Sequence, residues 1–201
     1  GSYIGGIYYP DKTRVGWWKN GYPEYFAKVL NAPNWIGIDI QINETELDLN
    51  TCKVSNFKRE LNMKEGWLSR SFNAILETGE EIQVNTKRFI SLEYNETGAI
   101  EYAVKAVNFS GEITFSPYID AGIKNEDSNY DEYFWEILKI VSGRNSGCIL
   151  SKTLKTAFHL ATAMEVSFAV NNEKVKVYII IGSGGVRYFN PFFSRRFISS
   201  F

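Results

Sequence analysis

The sequence predicts an all-β fold, an antiparallel sandwich, on three observations. Apolar residues recur at every second position through most of the chain. The runs are short and evenly spaced, with Gly and Asn between them, and helical periodicity is nearly absent. From Trp35 to Ile42, Ile36, Ile38, Ile40 and Ile42 alternate with Gly37, Asp39 and Gln41, the pattern of a half-buried strand. Asn43-Glu44-Thr45 closes it, and Leu47 and Leu49 continue the alternation. Phe57, Arg59 and Leu61 lead into Lys64-Glu65-Gly66, a turn whose glycine suits a positive φ. Trp67–Leu76 returns, and Thr78-Gly79 turns the chain again. Ile82, Val84, Thr86, Arg88, Ile90 and Leu92 share one face of the next strand, and Glu96-Thr97-Gly98 ends it. Ile100, Tyr102, Val104 and Ala106 follow, then a break at Ser110-Gly111, then Ile113, Phe115, Pro117 and Ile119. The proline in that last strand marks an edge or a bulge.

After an acidic loop come Phe134–Val141, Cys148–Thr156, Phe158–Val170 and Lys174–Ile181, separated by Ser142–Gly147 and Asn171-Asn172. Roughly ten strands at 8–12-residue spacing are the signature of a sandwich. Only Glu24–Leu30 suggests a short helix, begun by Pro23 at a first-turn position. There is no internal repeat and no linker. The expected organisation is one domain over residues 1–181, followed by a tail at 182–201. That tail carries Arg187, Arg195 and Arg196, no acids and six aromatics, and is expected to fold back as an extra strand or to mediate a homodimer.

At 201 residues the chain is long enough to bury a proper core. Its formal net charge of −1 gives no electrostatic case for nucleic acid or an anionic membrane as partner. The longest apolar run, Val177–Ile181, falls far short of the ~18 residues a membrane helix needs. The opening Gly-Ser-Tyr-Ile-Gly-Gly is not a secretory leader. Cys52 and Cys148 stand alone, without a Cys-x-x-Cys or a nearby His. Two unpaired thiols fit a reducing compartment, so a cytoplasmic location is expected.

Catalytic and metal motifs fail one by one. Gly143-Arg144-Asn145-Ser146-Gly147 places its serine one position late for a nucleophile elbow, and it lies between strands. His159 is the sole histidine, and it faces away from the apolar side formed by Phe158, Leu160, Thr162, Met164, Val166 and Phe168. Asp127, Asn129 and Asp131 have calcium-loop spacing, but Glu132 replaces the turn glycine and Leu138 the bidentate Glu. A solvated acidic loop is the better reading. Gly182-Ser183-Gly184 has Arg187 at the third glycine position, and no helix follows. No metal and no cofactor are expected.

The aromatic distribution is more informative. Residues 1–35 hold nine of the 31 aromatics, and Pro10–Pro23 has no period. Flat aromatic faces stack on the C–H faces of sugar rings. Trp17 and Trp18, with Tyr22 and Trp35, are therefore the carbohydrate-contacting candidates. Covering the end of the sandwich, or contacting another domain, is the commoner use of such rings.

Several motifs then occur in one order. Lys28-Val29-Leu30-Asn31-Ala32-Pro33-Asn34-Trp35 resembles the Leu-Val-Asn-Leu-Pro-Asn-Trp stretch of the N-terminal domain of glycoside hydrolase family 65. The opening Gly1–Gly6 resembles that family's Gly-Thr-Tyr-Ile-Ala-Gly. Arg59-Glu60-Leu61 and Gly66-Trp67-Leu68-Ser69-Arg70-Ser71-Phe72 are similar to its Arg-Arg-Glu-Leu and Gly-x-Leu-x-Arg-Ser-Phe. Arg88-Phe89-Ile90-Ser91-Leu92 and Asn108-Phe109-Ser110-Gly111-Glu112-Ile113 fit as well. The resemblance covers about residues 1–170 and implies a β-supersandwich of the galactose-mutarotase-like, carbohydrate-binding kind, incomplete at its N-terminal end.

The family contains maltose, trehalose and kojibiose phosphorylases and acid trehalases. In it this domain precedes an (α/α)6 barrel that carries the general-acid Glu and the phosphate site. The resemblance thus implies a non-catalytic domain of an inverting disaccharide phosphorylase or hydrolase. Its partners would be that barrel and an α-glucosyl disaccharide or glucan. An autonomous carbohydrate-binding module using the Trp17/Trp18 loop is the alternative, and a self-contained sugar epimerase or hydrolase is opposed by the lone His159.

Overall fold

The computed structural model describes residues 1–143, 145–170, 173–174 and 195–199. The strands are β1 (Ser2–Lys12), β2 (Tyr25–Ala32), β3 (Asn34–Ile42), β4 (Thr45–Glu46), β5 (Lys53–Asn62), β6 (Trp67–Ile75), β7 (Glu81–Ile90) and β8 (Gly98–Ala106). They continue with β9 (Gly111–Asp120), β10 (Trp135–Ser142), β11 (Ser146–Thr153), β12 (His159–Glu165), β13 (Ala169–Val170), β14 (Glu173–Lys174) and β15 (Arg195–Ser199). One 3-10 turn, Trp17–Asn20, interrupts them. Every strand pair whose register is resolved is antiparallel. The chain is all-β, as the period-two pattern requires.

Contacts divide the chain into two compact units, residues 1–38 with 116–194 and residues 39–115 with 195–201. The first holds the β1-β2 hairpin, the sheet β10-β11-β12 and the short β13-β14 pair. Its core stacks Tyr9 on Phe134, with ring centroids 4.1 Å apart, and adds Leu30, Ala32 and Trp135. A second cluster joins Ile119, Ala121 and Ile149. In the other unit the sheet β5-β6-β7-β8 buries Phe72, Ala74, Ile82 and Val84. A further four-stranded sheet has the order β15-β9-β3-β4.

Two expectations need correction. Glu24–Leu30 is not helical, because Tyr25–Ala32 is β2, paired along its length with β1. Its burial alternates, with Phe26, Lys28, Leu30 and Ala32 turned inward. The β1 ladder satisfies these backbone groups and overrides the weak local helix preference. Leu47 and Leu49 do not extend a strand either. After the two-residue β4, Asp48 starts a turn in which its backbone oxygen accepts from the amides of Thr51 and Cys52.

Other details match the sequence. Asn43 and Glu44 both have positive φ (46° and 71°), the conformation of a two-residue hairpin turn between β3 and β4. Glu112 donates its N–H to the Asn43 side-chain oxygen at 2.9 Å. A Cβ at Gly111 would come within 2.3 Å of that side chain, so the backbone approaches closely there because the residue is glycine. By contrast, Pro117, expected to mark an edge or a bulge, lies within β9, which the sheet order places between β15 and β3 rather than at an edge. Of the tail at 182–201, Arg195–Ser199 forms β15 on β9. The rest of the tail, the boundary at 181 and most of Lys174–Ile181 lie outside the described residues.

The Tyr9–Phe134 stack should dominate the stability of its unit. Phe134→Ala is expected to destabilise the chain by about 3–5 kcal/mol. Leu92→Ala, at a residue 96% exposed, should stay within about 0.5 kcal/mol. Urea midpoints of the two variants against wild type check both.

Candidate functional site

The β1-β2 hairpin carries a twelve-residue excursion at positions 13–24 whose ends are tied together. Thr13 donates its N–H to the Glu24 carbonyl at 2.8 Å, and its hydroxyl to the Pro23 carbonyl. Tyr130 seals the same neck. Its hydroxyl donates to the Thr13 carbonyl at 3.2 Å and accepts from the Val15 N–H at 3.1 Å. Gly16 and Gly21 both have positive φ (92° and 87°), which lets so short a segment reverse twice. The result is a closed loop of the Ω type.

On this loop Trp17 and Tyr22 meet, with ring centroids 5.9 Å apart and planes tilted by 47°. Tyr22 in turn stands edge-on to Phe26 at 6.2 Å. The Arg14 guanidinium lies 5.7 Å from the centroid of Trp17. Trp17 is 43% exposed and Tyr22 53%, and Arg14, Lys19 and Asn20 are exposed around them. Such a group of tilted rings with polar neighbours can stack on the apolar face of a sugar and hydrogen-bond its hydroxyls. Trp18 shares the 3-10 turn, and its side chain lies outside the described residues. Trp35 is not brought to this group. It is half-buried in β3.

Beneath the loop is a charged anchor the sequence did not reveal. Asp11 in β1 is fully buried, and its Oδ2 lies 3.1 Å from Lys28 Nζ in β2. Asn129 donates its N–H to the same oxygen at 3.0 Å, while Oδ1 has no hydrogen-bond partner. Lys28 also reaches the Asp127 carboxylate at 3.3 Å and donates to the Asp127 backbone oxygen. Asn125 binds the β2 backbone on both sides, accepting from the Asn31 N–H at 2.8 Å and donating to the Val29 carbonyl at 2.9 Å. The segment 125–130 therefore fastens β2 and the loop neck together.

The acidic triad of the sequence is thus taken up by different partners. Asp127 pairs with Lys28, Asn129 with Asp11 and the Lys12 carbonyl, and Asp131 with Lys124 at 2.7 Å. No group of three His, Cys, Asp or Glu side chains among the described residues is arranged to hold a metal ion. His159 sits exposed on β12, opposite Lys152 on β11. Cys52 and Cys148 are free thiols, both half-buried, and burial raises the pKa of Cys52. No helix among the described residues is long and apolar enough to cross a membrane.

A family model decides where this architecture belongs: the N-terminal domain of glycosyl hydrolase family 65 matches residues 1–183. The chain belongs to that family. Maltose phosphorylase of Bacillus subtilis is 43% identical over 159 residues, 79% of this chain and 21% of that protein. The alpha,alpha-trehalose phosphorylase of Thermoanaerobacter brockii is 30% identical, covering 89% of this chain and 26% of its own length. The chain spans about a fifth to a quarter of these relatives. A solved chain described as a candidate kojibiose phosphorylase from the human microbiome shares the fold, with a TM-score of 0.70 at 24% identity. That likeness covers 82% of this family 65 chain and 21% of the solved one.

The Asp11–Lys28–Asp127 anchor makes two predictions. Lys28→Met leaves Asp11 buried without its counter-charge and is expected to cost about 3–5 kcal/mol. For Asp127, burial alone would raise the pKa, but hydrogen bonds from Asn125 and Lys28 and the Lys28 charge outweigh it and hold the carboxyl below its ordinary value. A depressed folded pKa adds stability that is complete above about pH 4 and is lost as pH falls through the folded value. Urea midpoints measured from pH 6 down to pH 2 should show this component in wild type and not in Asp127→Asn.

Proposed function

We propose that this chain is a non-catalytic carbohydrate-binding domain, which supports a catalytic domain elsewhere in a disaccharide phosphorylase. The supporting observation is the family match over residues 1–183, together with the chain's correspondence to about a fifth of maltose phosphorylase. Inverting phosphorolysis needs an acid to protonate the glycosidic oxygen while phosphate attacks from the opposite face. The family resemblance assigns that chemistry to an (α/α)6 barrel, so the barrel is this domain's partner and an α-glucosyl disaccharide or glucan the carbohydrate it contacts. The free thiols accord with a reducing, cytoplasmic setting.

Sugar contact is assigned to the aromatic loop, with Trp17 and Tyr22 as stacking faces and Arg14 as a hydrogen-bond donor. Trp18 belongs to the same assignment by sequence; Trp35 is the weakest candidate, being half-buried. A second reading, an autonomous binding module, is favoured by one observation. The loop is closed by bonds to Pro23, Glu24 and Tyr130, all of which lie in one compact unit.

Calorimetric titration of the chain with maltose, trehalose and kojibiose tests both readings. Binding is expected to be millimolar, and a Trp17→Ala/Tyr22→Ala variant should weaken it about fivefold or more per ring, at about 1 kcal/mol each. Unchanged heats in that variant would remove the loop from the site. Phosphate-dependent cleavage of any of the three sugars by this chain, above a buffer blank, would overturn the non-catalytic assignment.

A further inference from the structure

Away from the aromatic loop, the sheet β5-β6-β7-β8 gathers three arginines. Its register sets Arg59, Arg70, Thr86 and Tyr102 side by side across four strands. The adjacent row on the same face is Leu61, Leu68, Arg88 and Ile100. Both rows continue the face that buries Phe72 beside Val84 and Ala74 beside Ile82, because side chains two apart along a strand point the same way.

Arg59 and Arg70 are direct cross-strand partners, and like charges so placed repel. Arg88 stands diagonally from Arg70, adding a third positive charge. Among the described residues, no carboxylate is paired with any of the three. The carboxylates on strands β5 and β8 are turned elsewhere. Glu60 projects to the opposite face and is held by Lys58 at 2.7 Å, and Glu101 is across from Lys87 on that other face. Arg70 and Arg88 are half-buried, Arg70 over the Phe72 ring at 5.3 Å. Burial, then the charges of Arg59 and Arg70, pushes the Arg88 pKa down.

We propose that Arg59, Arg70 and Arg88 form a binding site for a phosphate-type oxyanion, with the hydroxyl of Tyr102 as an additional donor; the Thr86 hydroxyl is already given to the Arg70 carbonyl. A guanidinium presents two parallel N–H groups that match two oxygens of a phosphate. Three of them on adjacent strands favour a multiply charged anion over a single carboxylate, which would leave most of the repulsion in place. Leu61 and Ile90, 64% and 60% exposed, border the arginines and lower the local dielectric around a bound anion. The site lies wholly within residues 39–115 and rests on nothing in the aromatic loop.

Titrating the 201-residue chain with inorganic phosphate, against sodium chloride at matched ionic strength, tests this by thermal melting. Phosphate is expected to raise Tm by about 4 °C at ten times its Kd and logarithmically with concentration beyond it, with no matching rise in chloride. Arg70→Gln and Arg88→Gln should weaken binding at least tenfold. Lys87→Gln, on the opposite face over Trp67, should leave it unchanged. Arg59→Gln, at an exposed position, should also lose the phosphate response while melting no lower than wild type in phosphate-free buffer, because one repulsion is gone. It keeps the test intact if the half-buried variants fail to fold. No rise beyond that in chloride, or an equal rise in the arginine variants, overturns the proposal.

Discussion

The buried carboxylate of Asp11 constrains the first compact unit more than any apolar contact does. An ionised group with no exposed surface must find an opposite charge and hydrogen-bond donors, or the fold does not hold it. Lys28 supplies the charge from the diagonal position of the paired strand, since Asp11 stands opposite Phe26 and Lys28 is two residues on. Slipping the β1-β2 register by one residue would send Lys28 to the other face and strand the carboxylate. The pair therefore specifies pairing as well as tolerating burial. The remaining donor is the Asn129 N–H, and its segment 125–130 is held in place because Asn125 bonds the β2 backbone on both sides.

Most strands were legible because one side of each is buried, and that alone imposes a period of two. The β3-β4 turn was legible because Asn tolerates a left-handed backbone. Glu24–Leu30 misled because Ala27, Lys28 and Leu30 are good helix formers, whereas their fate depends on β1, which the sequence places across an aperiodic loop. Leu47 and Leu49 misled for the opposite reason: the alternation persists after the ladder has ended.

The candidate site was half visible. Aromatic density drew attention to Trp17 and Tyr22, and the structure sets these two rings against each other. Tyr130, Asp11 and Lys28 gave no local signal, because their roles are set by partners across the strand pair or more than a hundred residues away. The arginine rows were hidden in another way. Arg59, Arg70 and Arg88 each occupy an ordinary alternating position, and only the registers of β5, β6 and β7 bring them together. Those same residues lie in the short motifs through which the sequence resembles its family.

The aromatic loop looks like a local hairpin feature, but its closure is a long-range event. Tyr130 and Asn129 reach back over 115 to 118 positions to hold the neck. Bringing such distant segments together is the slow, entropically costly part of folding a β topology. Closure of the loop therefore depends on the docked 125–130 segment. Its order reports on the integrity of the whole unit. A substitution far from the rings, on the acidic segment or in the Tyr9–Phe134 core, can release the loop without touching Trp17 or Tyr22.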